Sequence, residues 1–391
     1  MRYQRSAMIS ERVKKIEPSA TLALDAKVKE LKKKGEDVIN FSVGEPDYPT
    51  PQSVKAAAVR AINEDFTYYT PASGILELKQ AIAKKLEAVN NVTYSPNQVS
   101  VSCGGKHSLY NIMLALLNPG DEVLLPKPFW VSYIEQIRLS GGVPVITDTD
   151  GDLRIRADLL RDKLTDKTKL VILNSPSNPS GMICEEGELK RIADLVCENK
   201  LYVTSDEVYE YFVYDGKKHV SIASLDDEIK KRAVISNSVS KAYAMTGWRI
   251  GYSAGPQEII TAINNLQSHT TSNPNSVAQK AALEALTGAQ ESVAKMVKAF
   301  DDRRKLIVKR LNEMNTVVCS KPEGAFYVFP DISESGLSST EFANELLEEE
   351  HVAVVPGIAF GQDKNVRLSY ATSVDQIREG ANRMEKFCDS L

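Results

Sequence analysis

The stretch SNSVSKAYAMTGWRIGYSAGP, residues 236–256, places one lysine, Lys241, among serines, alanines and glycines and follows it with Gly247, Trp248 and Arg249. A surface lysine ordinarily has charged company; this one has almost none. The runs on either side, RAVISNSVS and RIGYSAGP, are β-rich and apolar, so the lysine falls just past the end of a predicted strand.

Outward from this point the same grammar repeats. QVSVSCGG leads into the helical HSLYNIMLALL and DEVLLPKP into WVSYIEQIRL, while KLVILNSP and LYVTSDEV precede the lysine stretch. Short runs apolar on both faces and punctuated by helices predict a mostly parallel sheet covered on both sides by helices, an α/β architecture. From about residue 288 the character changes. The charged helical ESVAKMVKAFDDRRKLIVKRLNEM precedes isolated strands AFYVFP and NVRLSYAT and helices near 339–349 and 374–388. This reads as a smaller α+β unit. The N-terminal segment, a helix and the turn SVGEPDYPTP, is too short to stand alone and is expected to join it. The expected division is a large domain over 50–288 and a small one from 1–49 plus 289–391.

Composition narrows the function. With 391 residues, 42% hydrophobic and 26% charged, the chain can bury a large core. A net charge of -4 and pI near 5.8 give no footprint for nucleic acid. The lysines between Lys27 and Lys34 are interleaved with Val28, Glu30 and Leu31, as on a solvated helix face. Five cysteines without paired spacing suit reduced thiols. MRYQRSAMISERVKK lacks a signal peptide's apolar run and no later run is long enough to cross a bilayer, so the expected location is the cytoplasm, away from membranes. His107, His219, His269 and His351 show no zinc-ligand spacing, and no metal site is expected.

In open α/β sheets ligands sit at the carboxyl ends of strands. The residues just past four apolar runs are Gly104-Gly105-Lys106, Asn178-Pro179-Ser180-Gly181, Asp206 with Tyr209, and Ser238 through Lys241. Two glycines opening a helix either form a tight turn or expose N–H groups to a phosphate. A P-loop is excluded, because Ser100 stands where its first glycine belongs, and no G-x-G-x-x-G follows a strand. Asp206 is either a helix N-cap or a buried carboxylate holding a protonated nitrogen; Glu207, its strand neighbour, points to the opposite face, so the two form no dyad. Lys241 is either an ordinary exposed lysine or an amine kept accessible and depressed in pKa for Schiff-base chemistry. A turn through Met245, Thr246 and Gly247 must bring Arg249 beside it; the guanidinium suits a phosphate monoester, with Ser238 and Ser240 adding hydroxyl donors. An amine for an aldehyde beside a cradle for a phosphate describes a pyridoxal phosphate pocket.

Over nearly its whole length the chain resembles the class I aminotransferases of PLP fold type I, particularly the prokaryotic aspartate aminotransferase branch; SVSKAYAMTGWRIGY is similar to that family's lysine signature. The resemblance implies that Lys241 carries pyridoxal 5'-phosphate as a Schiff base and that Asp206 keeps the pyridine nitrogen protonated. It implies that Tyr209 and Asn178 hydrogen-bond the ring oxygen, that Trp130 of PKPFWVSY stacks on the ring, and that Gly105, Lys106, Ser238, Ser240 and Arg249 meet the phosphate. Tyr69 of TYYTPASG would reach that phosphate from a neighbouring subunit, which requires a homodimer. Arg367 of VRLSYAT would grip the substrate α-carboxylate, with Gly44, Trp130 and Asn178 bordering the same place. The Lys106 side chain would pair with a second carboxylate or else only support the phosphate region. Two positions depart from the family pattern: His107 stands where glutamine is common, which could alter substrate choice, and Asn-Pro-Ser-Gly replaces a turn with threonine. The expected activity is ping-pong transamination between aspartate or glutamate and a 2-oxo acid, the alternatives being an aromatic or prephenate aminotransferase and a non-catalytic PLP-binding regulator. The last needs a partner-binding appendage, and only about forty residues precede VGEPD.

Overall fold

Leu170, Val171, Ile172 and Leu173 bury their side chains alternately on two faces of one strand, and each face meets its own layer of helices. Val171 and Leu173 join Val101, Val203 and Ile235 under a layer containing Ile82, Leu86, Ile192 and Ala281. Leu170 and Ile172 join Val123, Leu125 and Val234 under Leu109, Ile112, Ile137 and Ile260. Such burial on both faces is why the strands read as continuous apolar runs rather than alternating ones, and each fully buried aliphatic side chain contributes about 1.5–3 kcal/mol.

The computed structural model describes residues 9–14, 16–18 and 20–391, so the sequence reading of the first fifteen residues falls largely outside the described residues. In chain order the strands are β1 Ile39–Asn40, β2 Val99–Ser102, β3 Glu122–Pro126, β4 Val143–Thr147, β5 Thr168–Asn174, β6 Tyr202–Asp206, β7 Ala233–Ser238, β8 Gly251–Ala254, β9 Tyr327–Val328, β10 Val352–Ala353, β11 Val355–Pro356 and β12 Val366–Ser369. The central sheet runs β2-β8-β7-β6-β5-β3-β4. Its pairs from β7 to β4 are parallel, and β8 runs antiparallel to both β7 and β2. This bears out the α/β reading. Strand β4 escaped it: VPVIT is an edge strand with Val143 exposed and a proline inside, features that weaken the strand signal and that only an edge tolerates.

Beyond residue 288 the chain builds a second core. Helices Glu291–Leu311 and Val374–Ser390 pack Phe300, Ile307 and Leu311 with Ile377, Met384 and Phe387 over the antiparallel sheet β11-β12-β9. Strand β1 pairs in parallel with β10, Ile39 opposite Val352. Tyr209 and Phe212, just after β6, belong to the same core as Phe326 and Tyr327, so the end of β6 lies against the C-terminal elements. Among the described residues no helix is long and apolar enough to cross a membrane.

Candidate active site

The carboxyl ends of β5, β6 and β7 open into a cavity of about 410 Å³ that also receives the Ser42–Glu45 segment, the start of helix Gly105–Leu116, and Arg367 from β12. Every residue to which the resemblance gives a cofactor or substrate contact lines it except Tyr69; of the strand-end residues, Gly104, Pro179, Ser180 and Gly181 do not, nor does His107. Tyr69 is 90% exposed on this chain. His107 lines the neighbouring groove with Cys103 and Tyr110, and its Nδ1 accepts the Cys103 N–H at 3.2 Å, so the structure gives it no direct hold on a ligand in the cavity.

Lys241 follows β7, and its Nζ donates to the Gly44 carbonyl at 2.6 Å. Burial pushes its pKa down to about 8, against the pull of Glu45 and with the help of Arg367 and Arg249. Asp206 ends β6 and opens no helix. Its Oδ2 accepts the Tyr133 hydroxyl at 2.6 Å and its Oδ1 the Val208 N–H at 3.3 Å, and burial raises its pKa to about 6. Glu207 turns the other way, as strand alternation requires, where it accepts from Ser205, Ser221 and Asn90.

Behind the cavity wall the ligand atoms of Glu207, Glu210 and His219 lie within 4.8 Å of one another, an approach the sequence spacing gave no sign of. Their carboxylates are already engaged: Glu210 takes the Lys85 ammonium and the amides of Asn90 and Asn237, and His219 Nε2 stands 3.3 Å from Glu207.

The corner where helix Gly105–Leu116 starts is built from backbone in contact with backbone. Gly104 adopts φ +91°, open to glycine without strain, and caps the helix whose first N–H groups, those of Gly105 and Lys106, lack intrahelical acceptors. A Cβ on Gly104 would come 2.3 Å from Arg249 Nη2, and one on Gly251 would come 2.4 Å from Gly104 C and Gly105 N. Arg249 is itself left-handed, φ +58°, with Nη1 donating to the Thr246 carbonyl at 2.8 Å. Gly251→Ala is therefore expected to lower stability by about 1–3 kcal/mol, read as a lower thermal midpoint. Gly247→Ala, in the same stretch but with nothing within 4 Å of its Cβ, should leave the midpoint in place; equal midpoints for both variants would refute the close-packed cradle.

Across the cavity Arg367 is 3% exposed. Its Nη2 donates to the Ser42 carbonyl at 2.7 Å and its Nη1 to Asn178 Oδ1 at 3.0 Å, while Nε has no partner. Among the described residues no carboxylate pairs with it. A buried guanidinium without a counter-ion is a strong demand for an anion, and burial lowers its pKa accordingly. Between the two ends, Lys106 Nζ lies 5.0 Å from the centre of the Trp130 ring, which meets Tyr133 edge-on. Burial, then Arg249, lowers the Lys106 pKa.

A family model described as aminotransferase class I and II matches residues 36–384. The chain belongs to that family. Among its relatives, this aminotransferase is 47% identical over 388 residues to the aspartate aminotransferase of Bacillus subtilis (strain 168), covering 97% of this chain and 99% of that one. It is 45% identical over 398 residues to the aspartate/prephenate aminotransferase of Cereibacter sphaeroides (strain ATCC 17029 / ATH 2.4.9), covering 98% and 100%. The crystal structure of the aspartate aminotransferase from Rhizobium meliloti superposes with a TM-score of 0.95 at 39% identity, covering 98% and 99%.

Several lining residues of the aminotransferase cavity escaped the sequence reading: Tyr133, Asn174 and Tyr327. Tyr133 had a signal, since it follows Trp130 by one helical turn and so shares its face. Asn174 bridges two recognised residues, donating to the Asp206 carbonyl at 3.1 Å and accepting the Asn178 N–H at 2.8 Å.

Proposed function

We propose that the protein is a pyridoxal phosphate-dependent aminotransferase that works as a homodimer in the cytoplasm and moves an amino group between aspartate or glutamate and a 2-oxo acid in two half-reactions. One observation carries the reading: a buried amine with a lowered pKa and a buried guanidinium without a counter-ion face the same cavity. The residues fit the cofactor. The glycine-built corner with its free N–H groups, Ser238, Ser240 and Arg249 suits a phosphate, and Asp206, the sole carboxylate at the end of β6 that faces the cavity, suits a ring nitrogen.

When bound, pyridoxal phosphate supplies an aldehyde for the Lys241 amine and a ring that accepts the electron pair released at the substrate α-carbon. Asp206 would hold a proton on the ring nitrogen, Tyr209 and Asn178 would offer polar groups to the ring's oxygen, and Trp130 would cover the ring and exclude water. Arg367 receives the α-carboxylate with its fork of donors, close to the Gly44 backbone. Lys241, as a neutral amine, would carry the proton removed from the α-carbon. Because Tyr69 stands exposed outside its own chain's cavity, it is available to a second copy's phosphate corner. The reading keeps 50–288 as the cofactor-holding domain and 1–49 plus 289–391 as the small domain bearing Arg367. Five free cysteines suit a reducing compartment.

The substrate class rests on Lys106, a cation that lines the same cavity as Arg367. Lys106→Ala is expected to lower kcat/KM for aspartate by about ten- to hundredfold and to leave that for phenylalanine unchanged, because one charged hydrogen bond is lost only with the dicarboxylate. A prephenate-using enzyme would depend on the same pair of cations. The deciding experiment compares purified enzyme on aspartate with 2-oxoglutarate, phenylalanine with 2-oxoglutarate, and prephenate with glutamate. Aspartate should turn over at least as fast as the others; no turnover of any would refute the function, and a preference for phenylalanine would refute the substrate class.

A further inference from the structure

Tyr327 stands between the two ends of the cavity. It lies on β9 opposite Ser369 of β12, which makes it the diagonal cross-strand neighbour of Arg367 on the same face. Its ring is 4.6 Å from the Arg367 guanidinium, and its hydroxyl is 2.8 Å from the Tyr209 hydroxyl. The Gly44 backbone runs against that hydroxyl: a Cβ there would lie 2.7 Å from Tyr327 Oη. We propose that Tyr327 is a positioning residue whose ring holds the carboxylate-binding arginine while its hydroxyl directs Tyr209, so that the substrate end and the cofactor end of the cavity depend on one side chain. This rests on the aminotransferase reading above.

The chemistry explains why a tyrosine serves here. An acid beside Arg367 would neutralise it and compete with a substrate carboxylate. An aromatic face attracts the guanidinium and fixes its plane without occupying its donors, leaving Nε unpartnered. The hydroxyl pair holds two hydrogens, of which one lies between the oxygens and the other is free. Burial raises the pKa of both hydroxyls, and the Arg367 cation, 4.6 Å from the Tyr327 ring, pulls both down. Either oxygen can donate across that pair; in the arrangement proposed Tyr327 is the donor, which leaves the Tyr209 hydrogen for the cavity. A hydroxyl that accepts one hydrogen bond donates the next more strongly.

The test uses cofactor-loaded protein and two readouts other than turnover: the pH midpoint of the cofactor's absorbance change, and the Kd of succinate, a dicarboxylate that lacks an amino group. Tyr327→Phe should raise the absorbance midpoint by about half a pH unit, since a weakened Tyr209 donor stabilises the deprotonated chromophore less, and should leave succinate affinity within about twofold. In a Tyr209→Phe background the same substitution should add no shift. Tyr327→Leu should weaken succinate binding by about tenfold; if that variant fails to fold, Tyr327→Phe alone carries the test. An unmoved midpoint in Tyr327→Phe, a shift that persists without the Tyr209 hydroxyl, or wild-type succinate affinity in a folded Tyr327→Leu would each overturn the proposal. A wild-type protein that takes up no cofactor would instead overturn the functional reading beneath it.

Discussion

Lys241→Ala is expected to lower transamination by roughly four orders of magnitude or more, with circular dichroism and thermal midpoint close to wild type. The size follows from two losses at one atom: the amine that would hold the cofactor and the base that would carry the α-proton. Burial explains why a lysine can be that base. With a pKa near 8, about a tenth of the side chain is the neutral amine at pH 7, against less than about one part in a thousand for an exposed lysine. The fold should tolerate the change because Nζ gives its hydrogen bond to the Gly44 carbonyl, at the cavity wall. Amino-group exchange near the wild-type rate in this variant would remove Lys241 from the chemistry.

Arg367→Ala should reduce kcat/KM for aspartate by about 10²- to 10⁴-fold, the range that corresponds to about 3–5 kcal/mol for truncating one partner of a buried charge pair. The substitution also orphans the Ser42 carbonyl and Asn178 Oδ1, so part of the loss reflects a disturbed cavity wall. Arg367→Lys separates the two effects. It keeps the charge but cannot reproduce the planar fork that reaches Ser42, Asn178 and a carboxylate together, so a loss of about ten- to hundredfold is expected. Unchanged kcat/KM in both variants, measured on protein that still takes up cofactor, would show that the substrate carboxylate is held elsewhere.

The parts of the fold that the sequence disclosed are those where one physical cause acts on contiguous residues. Leu170 to Leu173 are buried on alternating faces, and a run of four aliphatics is the direct consequence. Gly104 and Gly251 are glycines because backbone or a guanidinium occupies the space a Cβ needs. Lys241 stood out because its neighbours are small. The edge strand β4 lacked such a cause, being partly exposed and interrupted by Pro144. At the site, the residues at the ends of parallel strands were legible because sheet geometry sends them all to one edge. Tyr327 was not: AFYVFP reads only as a buried strand, and its importance comes from Arg367 and Tyr209, far away in sequence and joined to it by cross-strand pairing and the turn after β6. Tyr69 was picked out by family resemblance alone, and one chain leaves it exposed. For His107 the departure from the family pattern was visible, but not that the side chain would turn to the Cys103 N–H and away from the cavity.

The central claim is a covalent link between one side chain and the cofactor, and it can be read directly. Protein saturated with pyridoxal phosphate, reduced with borohydride and digested, should yield a single pyridoxyl-bearing peptide with the label on Lys241. A label on Lys106 or any other lysine, or none on the peptide containing Lys241, would contradict the account.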